Sequence, residues 1–310
     1  MIPIKLFDAN ARLIPTPQSF PRTQRPEAVC RTAEALEKEM RNFGITRALV
    51  YNAKCMWLHP KVGNYELIQH IAGRPGLYPS WVLLPSLLPE TGSTSALLDE
   101  MEENGVKAVR LKPGYRWGHE LAYALDEWCI GELLSGLENR GFPVFIDAVD
   151  RNTLNQICEE YSGLPIIVPL GATNARVDYP LLRRHENIYA LTPGASSHMG
   201  LEEMVDVIGA DRIIFGTMQE HASSIVPPSC WVNQLLYADL DSSEMRLIAS
   251  GNLERLLGKG VEKELLEPVA AREASEIERL ARSGLPLKGY DVIDVHVHVG
   301  EPGPFYRPDP

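Results

Sequence analysis

Two histidines near the C-terminal end of the chain have the spacing of metal ligands. His296 and His298 belong to the segment YDVIDVHVHVG, in which residues alternate as in a β-strand. Residues i and i+2 of a strand point to the same face, so both imidazoles can converge on one metal ion. Imidazole binds Zn, Fe and Ni, and Asp294 on the same face could orient a ligand from behind. The spacing therefore predicts a divalent metal, with zinc as the candidate, at His296 and His298.

A second group of polar side chains follows apolar runs earlier in the chain. Arg110 and Lys112 end the run KAVRLK, and Asp147 lies near the end of PVFIDA. His119 comes shortly after the first of these runs, and Trp57 follows the run RALVYN. A lysine, a carboxylate and an imidazole could exchange protons or bind an anionic ligand. An ion pair between Lys112 and Asp147 and a solvated histidine are the alternative interpretation.

The elements that would position these residues are short apolar runs separated by amphipathic segments. Runs rich in valine and isoleucine are typical of strands buried on both faces of a parallel sheet. Strand–helix repeats of this kind predict a (β/α)8 TIM-like barrel, an α/β fold, which residues 249–258 would close. The strands are predicted over 4–7, 47–52, 78–84, 107–112, 143–148, 165–170, 187–192 and 212–217. The helices are predicted over 26–44, 62–72, 95–104, 120–141, 151–161 and 201–208.

The barrel accounts for residues 1–258, and the rest of the chain has a different pattern. Residues 259–289 are predicted to form a charged helical linker, and 290–300 a further strand. Residues 301–310 contain four prolines and are predicted to be a loop. The predicted fold is therefore a barrel with a C-terminal helical and strand extension.

The composition excludes several classes of protein. The chain has 310 residues, of which 45% are hydrophobic and 23% charged, as in an ordinary globular protein. Its formal net charge of −11 argues against binding to nucleic acid or to anionic membranes. The 5 cysteines are dispersed, and no run resembles a signal peptide or a membrane span. We expect a cytoplasmic protein with neither a nucleic-acid nor a membrane partner.

Several segments resemble the amidohydrolase superfamily, in particular its amidohydrolase-related branch of metal-dependent hydrolases and decarboxylases. IDVHVHVG is similar to the first strand of that branch. The resemblance implies a barrel whose first strand ends in HxH, with a histidine on the fifth strand, another on the sixth, and an aspartate on the eighth. In such a site the metal deprotonates a water molecule and the aspartate shuttles its proton. The other similar segments are GITRALVYNA (44–53), GVKAVRLKP (105–113), NRGFPVFIDA (139–148), LPIIVPLG (164–171), ENIYALT (186–192), DRIIFGT (211–217) and ASGNLERLLG (249–258).

The ligand positions of that branch hold mostly unsuitable residues in 1–258. The HxH positions, in FDANARL, hold Asn10 and Arg12, and arginine has no lone pair to offer a metal. The fifth-strand position holds Asp147, which could bind a metal, and the sixth-strand position holds Pro169. The eighth-strand position holds Met218, whose thioether suits a hard cation poorly. We predict that residues 1–258 bind no metal of the family type, and that Arg12 pairs with Asp147 where the metal would lie.

The carboxyl ends of the strands remain the predicted ligand site, because active sites of such barrels lie there. A small-molecule ligand is expected at this mouth. His221, three residues after Met218, is either a pocket residue or a solvated loop histidine. The catalytic candidates are Asp147, Lys112, His119 and His221, and the predicted pocket residues are Asn10, Arg12, Trp57, Arg110 and Met218.

Three interpretations of the whole chain follow. In the favoured one, 1–258 is a metal-free pseudoenzyme or the non-catalytic half of a tandem hydrolase, and 290–310 begins a second barrel of the same type. Its partner would be that second barrel or a further copy of itself. In the alternative, the chain is an active hydrolase whose composite site joins His296 and His298 to Asp147. In the third, residues such as Asp147 and Lys112 act without metal, although nearby cations lower the pKa of a carboxylate and weaken it as a base.

Overall fold

The computed structural model describes residues 4–13, 32–57, 59–86, 92–113, 123–147, 149–217, 228–258, 260–261, 276–282 and 288–291. Within these ranges, eight parallel strands pair in chain order. The Ala9 N–H donates to the Phe215 carbonyl at 3.0 Å, which brings the first strand beside the end of the last. The predicted (β/α)8 barrel is therefore confirmed. The strands are β1 (Leu6–Leu13), β2 (Ile45–Asn52), β3 (Leu77–Val82), β4 (Ala108–Leu111), β5 (Val144–Ile146), β6 (Ile166–Val168), β7 (Ile188–Leu191) and β8 (Ile213–Ile214).

Helices connect the strands and cover the outside of the barrel. Their amino ends carry side-chain caps where the sequence offers them: Asp150, for example, accepts from the N–H groups of Asn152 and Thr153 at 3.0 Å. The helices of this unit are α1 (Ala33–Asn42), α2 (Lys54–Trp57), α3 (Pro60–Ile71), α4 (Thr94–Glu103), α5 (Glu127–Arg140), α6 (Arg151–Glu160), α7 (Ala175–Arg184), α8 (Gly200–Ile208), α9 (Pro228–Tyr237), α10 (Ser242–Arg246) and α11 (Asn252–Leu257).

The amino end of the barrel is closed by its own apolar side chains and by α11. Inward-facing Phe7 and Phe145 pack in one buried cluster with Leu253 and Leu257 of that helix. The Asn252 amide fixes α11 to the barrel, since it donates to the carbonyls of Ala210 and Ile213, each at 2.7 Å. The predicted closing segment 249–258 therefore does close this end of the barrel.

Several elements differ from the sequence prediction, among them the short helices α2 and α10, which were not predicted. Helix α7 was not predicted, and it contains Pro180, which removes a backbone donor from the helix. Burial of Leu181 and Leu182 stabilises the helix despite this loss. Strand β1 extends to Leu13, well beyond the predicted 4–7, and α9 was not predicted.

The chain divides into two units, residues 1–270 and 271–310. The described part of the second unit contains the helix α12 (Glu276–Arg282). Most of the predicted strand over 290–300, including both histidines of the HxH motif, lies outside the described residues. In the part of the chain that is described, every helix is too short or too polar to cross a membrane.

Candidate functional site

The strands place the polar side chains at the carboxyl end of the barrel interior. On β4 the alternation that puts Ala108 inward also turns Arg110 and then Lys112 inward. An irregularity in the pairing of β1 with β2 falls between Asp8 and Ala11. Most of the candidate residues on these strands are buried although they are polar, so they must find partners inside the barrel.

Arg110 forms the centre of this polar interior. Its side chain is 0% exposed. Its guanidinium donates from Nε to Ser80 Oγ at 2.8 Å, from Nη1 to Asn10 Oδ1 at 2.8 Å, and from Nη2 to the Ala9 carbonyl at 2.7 Å. One arginine of β4 therefore joins β3 and β1 across the barrel, and it occupies the acceptor oxygen of Asn10.

Two aromatic rings enclose the same guanidinium. The Cζ atom of Arg110 lies 4.7 Å from the ring centre of Tyr51 and 4.2 Å from that of Phe145. Cation–π contacts with desolvated cations are worth about 2 kcal/mol or more each. The two rings offset part of the cost of burying the charge and hold the guanidinium in place.

Asp8 connects β1 to the residues that follow β8, and it was not among the predicted site residues. Its Oδ1 accepts from the N–H groups of Asn10 and Thr217, each at 2.9 Å, and its Oδ2 accepts from Thr217 Oγ1 at 2.6 Å. Burial raises the pKa of Asp8, while its hydrogen bonds to Thr217 and Asn10 and the charge of Arg110 act in the opposite direction. The sequence offered a signal that could have identified Asp8 as a site residue. Asp8 has the same place in FDANARL as Asp294 has in IDVHVHV.

Lys112 and Asp147 form an ion pair nearer the mouth. The lysine side chain is 5% exposed and the aspartate side chain is 28% exposed, so the carboxylate is the partner that solvent reaches more readily. The Lys112 ammonium also lies 4.9 Å from the ring centre of Tyr51, and the Lys112 N–H donates to Tyr123 Oη at 2.9 Å. Burial raises the pKa of Tyr123. Of the two interpretations of Lys112, the structure shows the ion pair with Asp147. The pairing of Arg12 with Asp147 stays a prediction.

The remaining predicted residues are distributed as follows. Arg12 is buried on β1, and Pro169, just after β6, is exposed. Trp57 is the last residue of α2, which follows β2. The other predicted site residues, His119, Met218, His221, His296 and His298, lie outside the described residues.

The described residues at the strand ends do not fit the family's divalent metal. Metal ligands must offer a lone pair, and Arg12 has none, while the oxygen of Asn10 already accepts from a cation. A divalent ion beside a fixed guanidinium is also repelled, by about 7 kcal/mol at a separation of about 5 Å and an effective dielectric constant of about 20. Within the described ranges, no group of three or more histidine, cysteine, aspartate or glutamate side chains could hold a metal ion.

Comparisons with known proteins agree with this geometry on the fold. The sequence profile of the amidohydrolase family matches residues 11–259. No curated protein matches the chain. Three similar solved structures are an uncharacterised TIM-barrel protein from Bordetella bronchiseptica (18% identity, TM-score 0.61, covering 82% of this chain and 98% of that one), 2,6-dihydroxybenzoate decarboxylase from Rhizobium (14%, 0.59, 82% and 98%) and dihydroxybenzoic acid decarboxylase from Polaromonas, with bound manganese (14%, 0.59, 82% and 97%).

Proposed function

The chain belongs to the amidohydrolase family, and from this premise we propose that its barrel has lost the family's metal centre and acts as a binding barrel without metal-dependent catalysis. Structurally similar proteins include decarboxylases and amidohydrolases, and one of them holds manganese. The proposal concerns what the residues of this chain do in place of such a centre.

The guanidinium of Arg110 is the observation that supports the loss. It donates to Asn10, which has the position of the first histidine of the family's HxH motif. The guanidinium stays protonated and offers no lone pair, so it can neither bind a metal nor take a proton from water. A barrel that holds this side chain at 0% exposure has a stable interior that contains a fixed positive charge.

The mouth of the barrel supports the second part of the proposal, a small organic anion as ligand. Lys112 supplies a cation just inside the mouth, with the partly exposed Asp147 as its partner. An anionic ligand would have to displace the more exposed Asp147 carboxylate and take its place beside the ammonium. Charge-assisted hydrogen bonds of this kind favour carboxylates among small ligands.

Metal analysis of the full chain tests the loss of the metal centre. The wild type, purified after exposure to Zn²⁺ and Mn²⁺, is expected to retain far less than one ion per chain by plasma mass spectrometry. The His296→Ala/His298→Ala double variant serves as the matched comparison. Stoichiometric metal that persists in the double variant would place a metal in the barrel and refute the proposal.

The same measurement tests a second candidate function, an active hydrolase with a composite metal site. That candidate is favoured by the partial exposure of Asp147, since this carboxylate could be reached from outside the barrel. Stoichiometric metal in the wild type that is lost in the double variant would place it on the C-terminal histidines. Its loss in Asp147→Asn as well would support a site shared with Asp147.

Thermal denaturation with a carboxylate probe tests the ligand. We expect 2,6-dihydroxybenzoate, the compound named for the relative, or plain benzoate to raise the midpoint of the wild type. Lys112→Met is expected to abolish the shift, while Lys61→Met, which changes a lysine on α3, leaves it intact. A shift that persists in Lys112→Met would show that this mouth is not the binding site.

A further inference from the structure

Helix α6 is flanked by two surface grooves of similar volume and opposite charge. The acidic groove, between α5 and α6, has a volume of about 550 Å³. The side chain of Trp128 lines it and is 70% exposed. Four carboxylates line it as well: Asp126, Glu127, Glu159 and Glu160. An exposed indole of this size among charged groups is unusual for a free surface, since large aromatic side chains are mostly buried.

The basic groove lies on the other side of α6, between α6 and α7, and has a volume of about 530 Å³. It is lined by Arg151, Arg183 and Arg184, together with Val177, which is 57% exposed. Two of these arginines already have partners within the chain, since Arg151 pairs with Asp178 and Arg184 pairs with Glu159 of the acidic groove. In each groove an exposed apolar side chain therefore lies near a charge that forms no ion pair among the described residues: Glu160 in the acidic groove and Arg183 in the basic one.

The three helices run in the same direction, because each leads from the carboxyl end of one strand to the amino end of the next. Contacts also place their ends side by side. Glu138, near the end of α5, accepts from the Gly163 N–H just after α6 at 2.7 Å, and Arg184 at the end of α7 pairs with Glu159 near the end of α6. The apolar side chains of both grooves therefore lie towards the start of the helices, and the charges at residues 160 and 183 lie towards their ends.

We propose that this face is the contact between two copies of the chain, related by a two-fold axis parallel to α6. Such an axis exchanges the two sides of the helix, so the acidic groove of one copy faces the basic groove of the other at the same height. Trp128 then packs on Val177 of the partner subunit, and Glu160 pairs with Arg183 of the partner subunit. Each of these contacts occurs twice.

Charge complementarity favours a second copy over other occupants. Among the described residues, neither Glu160 nor Arg183 forms an ion pair within the chain, and both are exposed. The acidic groove repels a nucleic acid laid across the basic one, and the basic groove repels a strongly basic protein partner laid across the acidic one. A second copy satisfies both grooves at once. This surface is independent of the barrel mouth, so the proposal stands apart from the proposed function.

Charge reversal at the two residues gives a test with an internal rescue. Glu160→Arg alone and Arg183→Glu alone each place like charges opposite each other twice, and each is expected to weaken the dimer more than about 10-fold. In an equimolar mixture of the two variants, the introduced arginine of one copy faces the introduced glutamate of the other, and the two unchanged residues face each other as in the wild type. We expect this mixture, and the Glu160→Arg/Arg183→Glu double variant, to recover the dimer.

Sedimentation velocity of the full chain over a concentration series measures the assembly. The wild type is expected to be a dimer that weakens as salt is raised, and Asp206→Arg, on the exposed face of α8, is the matched control that stays dimeric. Circular dichroism checks that each variant is folded. A monomeric wild type, dimeric single variants, or a mixture that stays monomeric would each overturn the proposal.

Discussion

Replacing Arg110 by methionine is the most direct perturbation of the barrel interior. The methionine side chain fills much of the same space between the two rings but offers no donor. Ser80 Oγ, Asn10 Oδ1 and the Ala9 carbonyl then lose the donors that lie 2.7–2.8 Å away. Asp8 also loses a nearby positive charge, one of the influences that lower its pKa.

Arg110→Met should destabilise the fold, because the polar partners of the guanidinium stay buried after the substitution. Replacing an entire buried ion network by apolar residues is often neutral, whereas removing one member costs about 3–5 kcal/mol because its partners stay polar and buried. Here the acceptors remain, and each one left without a donor costs about 1–3 kcal/mol, partly offset by the lost desolvation of the guanidinium. We therefore expect the free energy of unfolding to fall by about 4 kcal/mol, out of a typical total of about 5–15 kcal/mol.

Urea unfolding followed by circular dichroism at pH 7 measures this loss. Arg140→Met is the matched control, since Arg140 forms its ion pairs with Asp99 and Glu102 at the surface, where water replaces them, and we expect a far smaller change. Arg110→Lys keeps the charge but not the fork of donors and is expected to fall between the wild type and Arg110→Met. Equal losses in Arg110→Met and Arg140→Met would refute the argument that the guanidinium holds the strands together.

Three further predictions concern pH and packing. Burial raises the pKa of Asp8, so the folded state binds the proton more tightly than the unfolded state. The free energy of unfolding should therefore fall as pH rises from about 4 through the folded pKa. Asp8→Asn should flatten that part of a curve of unfolding free energy against pH. Burial, and to a smaller extent the charge of Arg184, lowers the pKa of His185. The free energy of unfolding should therefore fall as pH drops below about 6.5. An unchanged slope of unfolding free energy against pH in His185→Gln would contradict this. A Cβ on Gly194 would lie 2.2 Å from the Leu170 carbonyl oxygen, so Gly194→Ala should lose about 3 kcal/mol in urea unfolding, and wild-type stability would show that the two segments are not so close.

The sequence predicted the barrel because its strands have an obvious composition. Runs such as PIIVPL and RIIFGT are buried on both faces, so their apolar character is continuous and visible. Strand β1 was placed too early for the opposite reason: FDANARL contains Asp8, Asn10 and Arg12, and an interior that is itself polar does not produce an apolar run. Helix α7 was not among the predicted helices, and it forms with Pro180 inside it.

The sequence predicted where several site residues lie in the barrel, but not which of them bond to each other. The end of the fourth predicted strand placed Arg110 and Lys112 at the barrel mouth, and the resemblance placed Asn10 and Asp147 at ligand positions. Arg110 bonds to Ser80, 30 positions away in the chain, and to Asn10, 100 positions away. No local sequence pattern predicts such distant hydrogen bonds. The ion pair with Lys112 was one of two alternatives, and the choice required the three-dimensional distance.

The proposed replacement of a metal centre by arginine would let the barrel keep its packing without the family's metal chemistry. In a metal centre, the divalent ion supplies a double positive charge to its neutral and acidic ligands. In this barrel the buried cations are Arg12, Arg110 and Lys112. The charge of Arg110 acts on Asp8, and Lys112 pairs with Asp147. A metal, however, keeps an open position where water ionises, whereas a guanidinium has only donors and stays protonated. The proposed binding role needs only the packed barrel and its fixed cations, whereas hydrolysis by the family's mechanism would need that open position.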